Sequence, residues 1–188
     1  MALILSTQYA ISAANFTTVG FPWSNVSNAT GSYDGVTATA SMDGATNLCD
    51  DLYLTFVVTA LPLGSTVVGL RISTRSGYSG SSINPTCTIS IPQSVTTIGS
   101  FSMSTVGLGN AFVGSTTNAY GVTAAQLAIG LVLSYRCQGD ANDELDVASI
   151  DGSFLIIYYD LPTSGTNPNR RKRLIRRVRG TRRRGNFA

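Results

Sequence analysis

The amino-acid sequence predicts an all-β fold: a jelly-roll-like sandwich of two antiparallel sheets with about eight strands, followed by a basic C-terminal arm. Three observations predict it. Apolar and polar residues alternate with period two in one short segment after another. Turn signals rich in Gly, Pro, Asn and Asp return every ~8 to 15 residues between those segments. Within residues 1–162, helical periodicity is confined to a single stretch too short to join a core.

In chain order, Gly20-Phe-Pro-Trp-Ser-Asn reads as a loop whose tryptophan, the only one in the sequence, packs a corner. Val36, Ala38, Ala40 and Met42 then alternate with Thr37, Thr39 and Ser41, one face inward and one outward. After a polar break at residues 47–51, Leu52, Leu54, Phe56 and Val58 form the inward face of the next strand. Leu61-Pro-Leu-Gly-Ser turns the chain into a strand over residues 66–75, where Val68, Leu70 and Ile72 alternate with Arg71 and Ser73. The Gly- and Ser-rich residues 76–84 read as an exposed loop tip. Residues 87–91 form a short strand stopped by Pro92, and residues 97–106 and 111–113 are weaker strands separated by Gly107-Leu-Gly-Asn. Thr123 caps a single helical turn over Thr123-Ala-Ala-Gln-Leu. Residues 129–136 follow as a strand with Leu131, Leu133 and Tyr135 on one face, and residues 137–144 form a polar loop.

Residues 147–159 close the folded body. Within them, Phe154 to Tyr159 is an unbroken β-branched and aromatic run, opened by the turn signal Asp151-Gly152 and stopped by Leu161-Pro162. Phe154, Ile156 and Tyr158 face one side while Leu155, Ile157 and Tyr159 face the other, so this strand is expected to be covered on both faces.

Charge divides the sequence at the same place. Of its 13 Lys and Arg, 10 lie within residues 170–188, leaving Arg71, Arg75 and Arg136 before them, while all 10 Asp and Glu lie at or before Asp160. The body is therefore −7 and the tail +10, and the overall +3 hides a strongly polarised chain. Such asymmetry points to an anionic partner for the tail.

The sequence contains no histidine, which removes Ser-His-Asp and Cys-His catalysis and His-ligated zinc from consideration. Cys49, Cys87 and Cys137 are widely spaced and odd in number, which reads as three buried reduced thiols rather than a disulfide framework or zinc cluster. Asp140, Asn142, Asp143, Glu144 and Asp146 are rich in oxygen ligands, but the EF-hand glycine and terminal bidentate Glu are missing. A solvated acidic loop is the preferred reading, with Asp140, Asp143 and Asp146 as weak cation candidates. No nucleophile with a base, no catalytic carboxylate pair and no phosphate loop stands out, so a non-enzyme without a cofactor is expected. Met1-Ala-Leu-Ile-Leu-Ser lacks the flank and apolar core of a secretory signal, and no run approaches the ~20 apolar residues of a membrane helix. No membrane partner is expected.

Four segments carry a family resemblance: Trp23-Ser-Asn-Val-Ser-Asn-Ala, Leu61-Pro-Leu-Gly-Ser-Thr-Val-Val-Gly-Leu-Arg-Ile, Ala125-Gln-Leu-Ala-Ile-Gly-Leu-Val-Leu, and Val147-Ala-Ser-Ile-Asp-Gly-Ser-Phe-Leu-Ile-Ile-Tyr-Tyr. Their succession resembles a β-sandwich domain of tailed-bacteriophage virion proteins, in which a Pro-x-Gly-x-x-Ile-x-Gly-Ile strand precedes a variable loop and a final Ala-x-Val-Asp-x-x-x-Ile-x-Val-Tyr-Tyr strand. The resemblance spans residues 23–159. It implies a sandwich fold and a virion setting, and the three reduced thiols are consistent with assembly in a reducing host cytoplasm. Ala119-Tyr120-Gly121 replaces a tryptophan usual before the helical turn, and the basic tail lies outside the domain.

Residues 1–162 are thus read as the body and residues 163–188 as linker and arm. In the arm, Asn167-Pro-Asn-Arg-Arg-Lys-Arg-Leu-Ile-Arg-Arg-Val-Arg-Gly has the capping residue, early proline and final glycine of a helix of about three turns. Its cations crowd the positive end of the helix dipole and repel one another, so order is expected only on an anionic surface. The anion-binding residues are Arg170, Arg171, Lys172, Arg173, Arg176, Arg177, Arg179, Arg182, Arg183 and Arg184, and Leu174, Ile175 and Val178 form a narrow apolar docking stripe. Arginine's planar fork suits phosphate or carboxylate, so the arm's partner is packaged nucleic acid or an acidic patch on another virion protein.

The expected function is structural: a capsid-decoration, head, neck or tail accessory protein of a tailed phage, homo-oligomeric with a trimer as first guess. Two alternatives stand beside it. One is a small icosahedral coat protein whose arm neutralises the genome, and the other is a module that binds host glycans through residues 76–84 and 107–117.

Overall fold

The computed structural model describes residues 3–17, 20–42, 48–58, 61–80, 85–104, 107–139 and 146–162, with side chains from residue 7 onward. Its strands are β1 (Leu3–Tyr9), β2 (Ser12–Phe16), β3 (Ala38–Ser41), β4 (Asp51–Phe56), β5 (Thr66–Ser79), β6 (Thr86–Ile91), β7 (Thr96–Ser102), β8 (Gly109–Ser115), β9 (Leu131–Gln138) and β10 (Val147–Asp160). They form two antiparallel five-stranded sheets, an all-β sandwich. In sheet I the order is β1-β10-β5-β8, with β3 also paired to β10; in sheet II it is β2-β4-β9-β6-β7.

The eight strands read from alternation correspond to β3 through β10. Two further strands precede them. β1 lies along residues 154–160 of β10, and β3 occupies residues 147–150 of the same edge, so two short strands share one flank of a 14-residue partner. Between β1 and β2 the chain crosses from one sheet to the other through Ala10 and Ile11, whose amides donate to the carbonyls of Ser153 in sheet I and Thr55 in sheet II.

The core lies between the sheets, where period-two side chains from both inner faces meet. Leu52, Leu54 and Phe56 of β4, Leu133 and Tyr135 of β9, Leu70 and Ile72 of β5, and Leu155 and Ile157 of β10 are fully buried there. Trp23 packs at the corner as expected, and its indole N–H donates to the Asp50 carbonyl at 2.7 Å. The predicted helical turn is α1 (Ala124–Ile129). The Thr123 hydroxyl accepts from the Gln126 amide, and the Gln126 side chain accepts from the Thr123 amide, which closes a capping box.

Three expectations change. Asp151-Gly152 does not open a strand; it sits inside β10 as a bulge, where the register against β5 shifts between Ile150 and Ser153. The expected two-sided burial of β10 holds for the inner face alone, because Phe154, Ile156 and Tyr158 are only half-buried on the outer face. Tyr9 and Tyr33 cover part of Phe154, with ring centroids at 5.6 and 5.7 Å. The expected loop tip at residues 76–84 begins as strand: β5 runs on to Ser79 with Ser76 and Tyr78 buried, and residues 81–84 lie outside the described residues. Small Ser and Gly side chains are needed there because the backbone is closely overlaid; a Cβ on Gly77 would come within 3.0 Å of the Gly107 carbonyl oxygen.

Candidate functional site

The arm residues Arg170, Arg171, Lys172, Arg173, Leu174, Ile175, Arg176, Arg177, Val178, Arg179, Arg182, Arg183 and Arg184 lie outside the described residues, as do Asp140 and Asp143. Asp146 is fully buried. Its carboxylate accepts from the Tyr78 hydroxyl and its carbonyl from the Met42 amide at 2.8 Å, which ties the start of β10 to β3 and β5. Its burial corrects the reading of this carboxylate as part of a solvated loop. Among the described residues, no group of three or more Cys, Asp, Glu or His side chains is arranged to hold a metal ion. No helix among them is long and apolar enough to cross a membrane.

The three cysteines, distant in sequence, converge in space. Cys87 and Cys137 are register partners on β6 and β9. The Cys137 amide donates to Cys49 Sγ at 3.1 Å, and the Cys49 thiol donates to the Cys137 carbonyl at 3.4 Å. All three are buried and free. Burial first, and then the neighbouring thiols of Cys49 and Cys87, hold the Cys137 thiol well above its ordinary range. A thiol kept protonated in this way is a packing group rather than a nucleophile.

On the outer side of sheet I, the β10 bulge anchors a strap. Asp151 is buried, and its Oδ1 accepts from the amides of Asp34 at 3.2 Å and Gly35 at 2.9 Å. Arg75 Nη1 lies 3.2 Å from Asp151 Oδ2, an ion pair without the alignment of a hydrogen bond. The Tyr33 hydroxyl meets Ser73 Oγ at 3.1 Å. Burial, opposed by that hydrogen bond, raises the Tyr33 pKa. Such an arrangement ties the 31–36 segment to the sheet and has the character of structural bracing.

The outer face of sheet II presents a different arrangement, an open cleft of about 380 Å³ lined by Asp51, Thr88, Ser90, Pro92, Val95, Thr97, Ser134 and Arg136. Alternation explains its composition: the inward residues of β4, β6 and β9 are Leu, Ile, Phe, Cys and Tyr, and the residues between them carry the hydroxyls outward. Register places Asp51, Arg136 and Thr88 in one row across three strands, and Tyr53, Ser134 and Ser90 in the next. Arg136 grips Asp51 with both prongs, Nε to Oδ1 at 2.6 Å and Nη2 to Oδ2 at 2.9 Å. The hydrogen bonds that Arg136 donates to Asp51 raise the arginine's pKa, with partial burial opposing. The Asp51 side chain is 10% exposed and that of Arg136 is 41% exposed, so the carboxylate fixes the fork while the guanidinium edge faces solvent.

Beside Asp51, Phe16 of β2 stacks on Tyr53 with centroids 4.9 Å apart and planes within 4°. At the opposite side, the 3-10 helix Pro92–Ser94 ends on Val95, a β-branched residue held in the left-handed region at φ 52° and 89% exposed. That conformation is unfavourable for valine. The cleft can offer a fixed cationic donor edge, several hydroxyls and apolar walls to a small polar ligand. None of its residues was singled out from the sequence as a site, because the lining joins four strands far apart in the chain. No family model matches the chain, and no curated protein matches it.

Proposed function

We propose that the chain is a structural component of a virus particle, of the tailed-phage kind its sequence resembles, in which the sandwich is a surface tile and residues 163–188 are its anchor. The observation that carries this reading is the strand order. With β1 and β2 set aside, one sheet runs β3-β10-β5-β8 and the other β4-β9-β6-β7. From β3 to β10 the chain changes sheet at every step except β6 to β7, and we read this order as support for a jelly roll, an architecture that recurs in viral capsid and lectin domains. The charge division supports the anchoring role, because ten cations on a short segment suit an anionic surface. The half-buried outer face of β10, with Phe154, Ile156 and Tyr158, supports contact with further copies or with other virion proteins.

A second reading, favoured by the same strand order, is a small coat protein that tiles an icosahedral shell while the arm neutralises the genome. The test is co-purification with particles through a density gradient, for the full chain and for one ending at Pro162. The tile-and-anchor reading expects the full chain in particles and the shortened one lost. Absence of the full chain from particles overturns the virion assignment, and full incorporation of the shortened chain overturns the anchor. Closed shells formed by the purified chain alone would select the coat-protein reading.

A further inference from the structure

We propose that the cleft on the outer face of sheet II is a binding site for a neutral saccharide. Four features point to that chemistry. The floor is a grid of hydroxyls from Thr88, Ser90, Thr97 and Ser134, each able both to donate and to accept, as sugar hydroxyls require. The fork of Arg136 is fixed by Asp51, so its remaining N–H groups are pre-organised donors that cost little entropy to engage. The stacked Phe16 and Tyr53 supply a flat apolar wall next to the polar row, suited to the C–H face of a pyranose, and Phe16 is 52% exposed. Pro92 and Val95 close the other side. The left-handed backbone at Val95 caps the Pro92–Ser94 turn, its N–H donating to the Pro92 carbonyl, and it places a branched, exposed apolar group at the lip of the cleft.

Charge decides between a neutral and an anionic ligand. Asp51 and Arg136 are the charged residues of the lining, and they neutralise each other. A carboxylate or phosphate ligand would have to compete with a nearly buried carboxylate already bound through both oxygens, whereas a hydroxyl can add to the free edge of the guanidinium without displacing it. The site is also distinct from residues 76–84 and 107–117, much of which is strand in β5 and β8. It is independent of the anchoring role, so particle incorporation and saccharide binding can fail separately.

The test uses the full chain on an array of neutral gluco-, galacto- and manno-oligosaccharides together with sialylated and sulfated ones, at low and high salt, followed by calorimetry with the best neutral binder. At least one neutral saccharide should bind with little salt dependence. Thr88→Val combined with Ser90→Val places β-branched strand formers at both positions and removes two hydroxyls, and it should weaken binding at least tenfold while leaving the melting temperature nearly unchanged. Arg136→Lys, which keeps the charge and loses the fork, should weaken it similarly. Three results would overturn the proposal: no neutral saccharide bound at millimolar concentration, neutral binding untouched by the hydroxyl variant, or binding confined to acidic glycans and abolished by salt, which would belong to the arm.

Discussion

Tyr135 is the largest fully buried side chain among the described residues, and its hydroxyl makes no well-aligned hydrogen bond to any of them. The hydroxyls of Thr74 and Ser153, which bond each other at 2.8 Å, lie close enough to the phenol to oppose in part the effect of its burial. An unpaired buried hydroxyl carries a desolvation cost, so Tyr135→Phe should be neutral or stabilise the fold by up to about 1 kcal/mol in urea unfolding. A loss above about 1 kcal/mol would show that the hydroxyl is bonded in solution. The same burial raises the pKa of Tyr135 above the ordinary 10.0, and burial with neighbouring thiols raises Cys137 above 9.0. Both groups are neutral when protonated and hold their protons longer in the folded state. Their contribution is therefore fully present below the ordinary pKa and is lost as pH rises above it. Stability should fall above about pH 9, at up to about 1.4 kcal/mol per pH unit for each group, and less steeply above pH 10 in Tyr135→Phe. Thermal unfolding midpoints from pH 7 to 11 would check the slope.

At the scale of elements, β10 shows where local patterning ends and tertiary context begins. Asp-Gly followed by a β-branched run is a turn signal in isolation. In the fold, the same pair is a bulge, because Asp151 accepts the amides of Asp34 and Gly35 and Gly152 adopts φ 128°, and neither partner is near in sequence. Gly152→Ala forces a side chain into that conformation and sets its Cβ 3.3 Å from the Gly31 carbonyl oxygen and the Tyr33 ring, so it should cost about 1–3 kcal/mol by urea denaturation. The α1 cap is the opposite case, with every participant within four residues. Its motif was readable in full, and Thr123→Ala should cost about 0.5–2 kcal/mol, measured the same way. Inner faces were readable for a similar reason, since Leu52, Leu54 and Phe56 announce burial by period two alone. The cleft was not, because Asp51, Thr88 and Arg136 become neighbours only through the pairing of β4, β9 and β6. The meeting of Cys49, Cys87 and Cys137 was hidden by the same long-range pairing.

For the whole molecule, the question is whether the acidic body needs the basic segment. β10 ends at Asp160, and Pro162 lies against the turn at Gly64, where an added Cβ would stand 3.3 Å away. Among the described residues, both sheets and a continuous core between them are complete by that point. Residues 1–162 should therefore fold alone, with a β-type circular dichroism spectrum and one cooperative unfolding transition. A largely unfolded product would make the last segment part of the core. Phe154, Ile156 and Tyr158 on the outer face of sheet I, with Tyr9 and Phe112 exposed in the same row, leave an aromatic surface whose burial between copies would be favourable. Closed rotational symmetry can gather such surfaces around one axis, and with a trimer as the first guess, light scattering on the 1–162 body at micromolar concentration should show an oligomer. A monomer at every concentration would remove self-association from the role of that face. The full chain should differ from the body in its salt response. With about five to eight of its ten cations meeting phosphates, its affinity for duplex DNA should fall with log salt at a slope near −0.9 per contact and without sequence preference, while the 1–162 body, at −7, should show no such binding. Equal DNA binding by both forms would move the anionic-partner site from the arm to the sandwich.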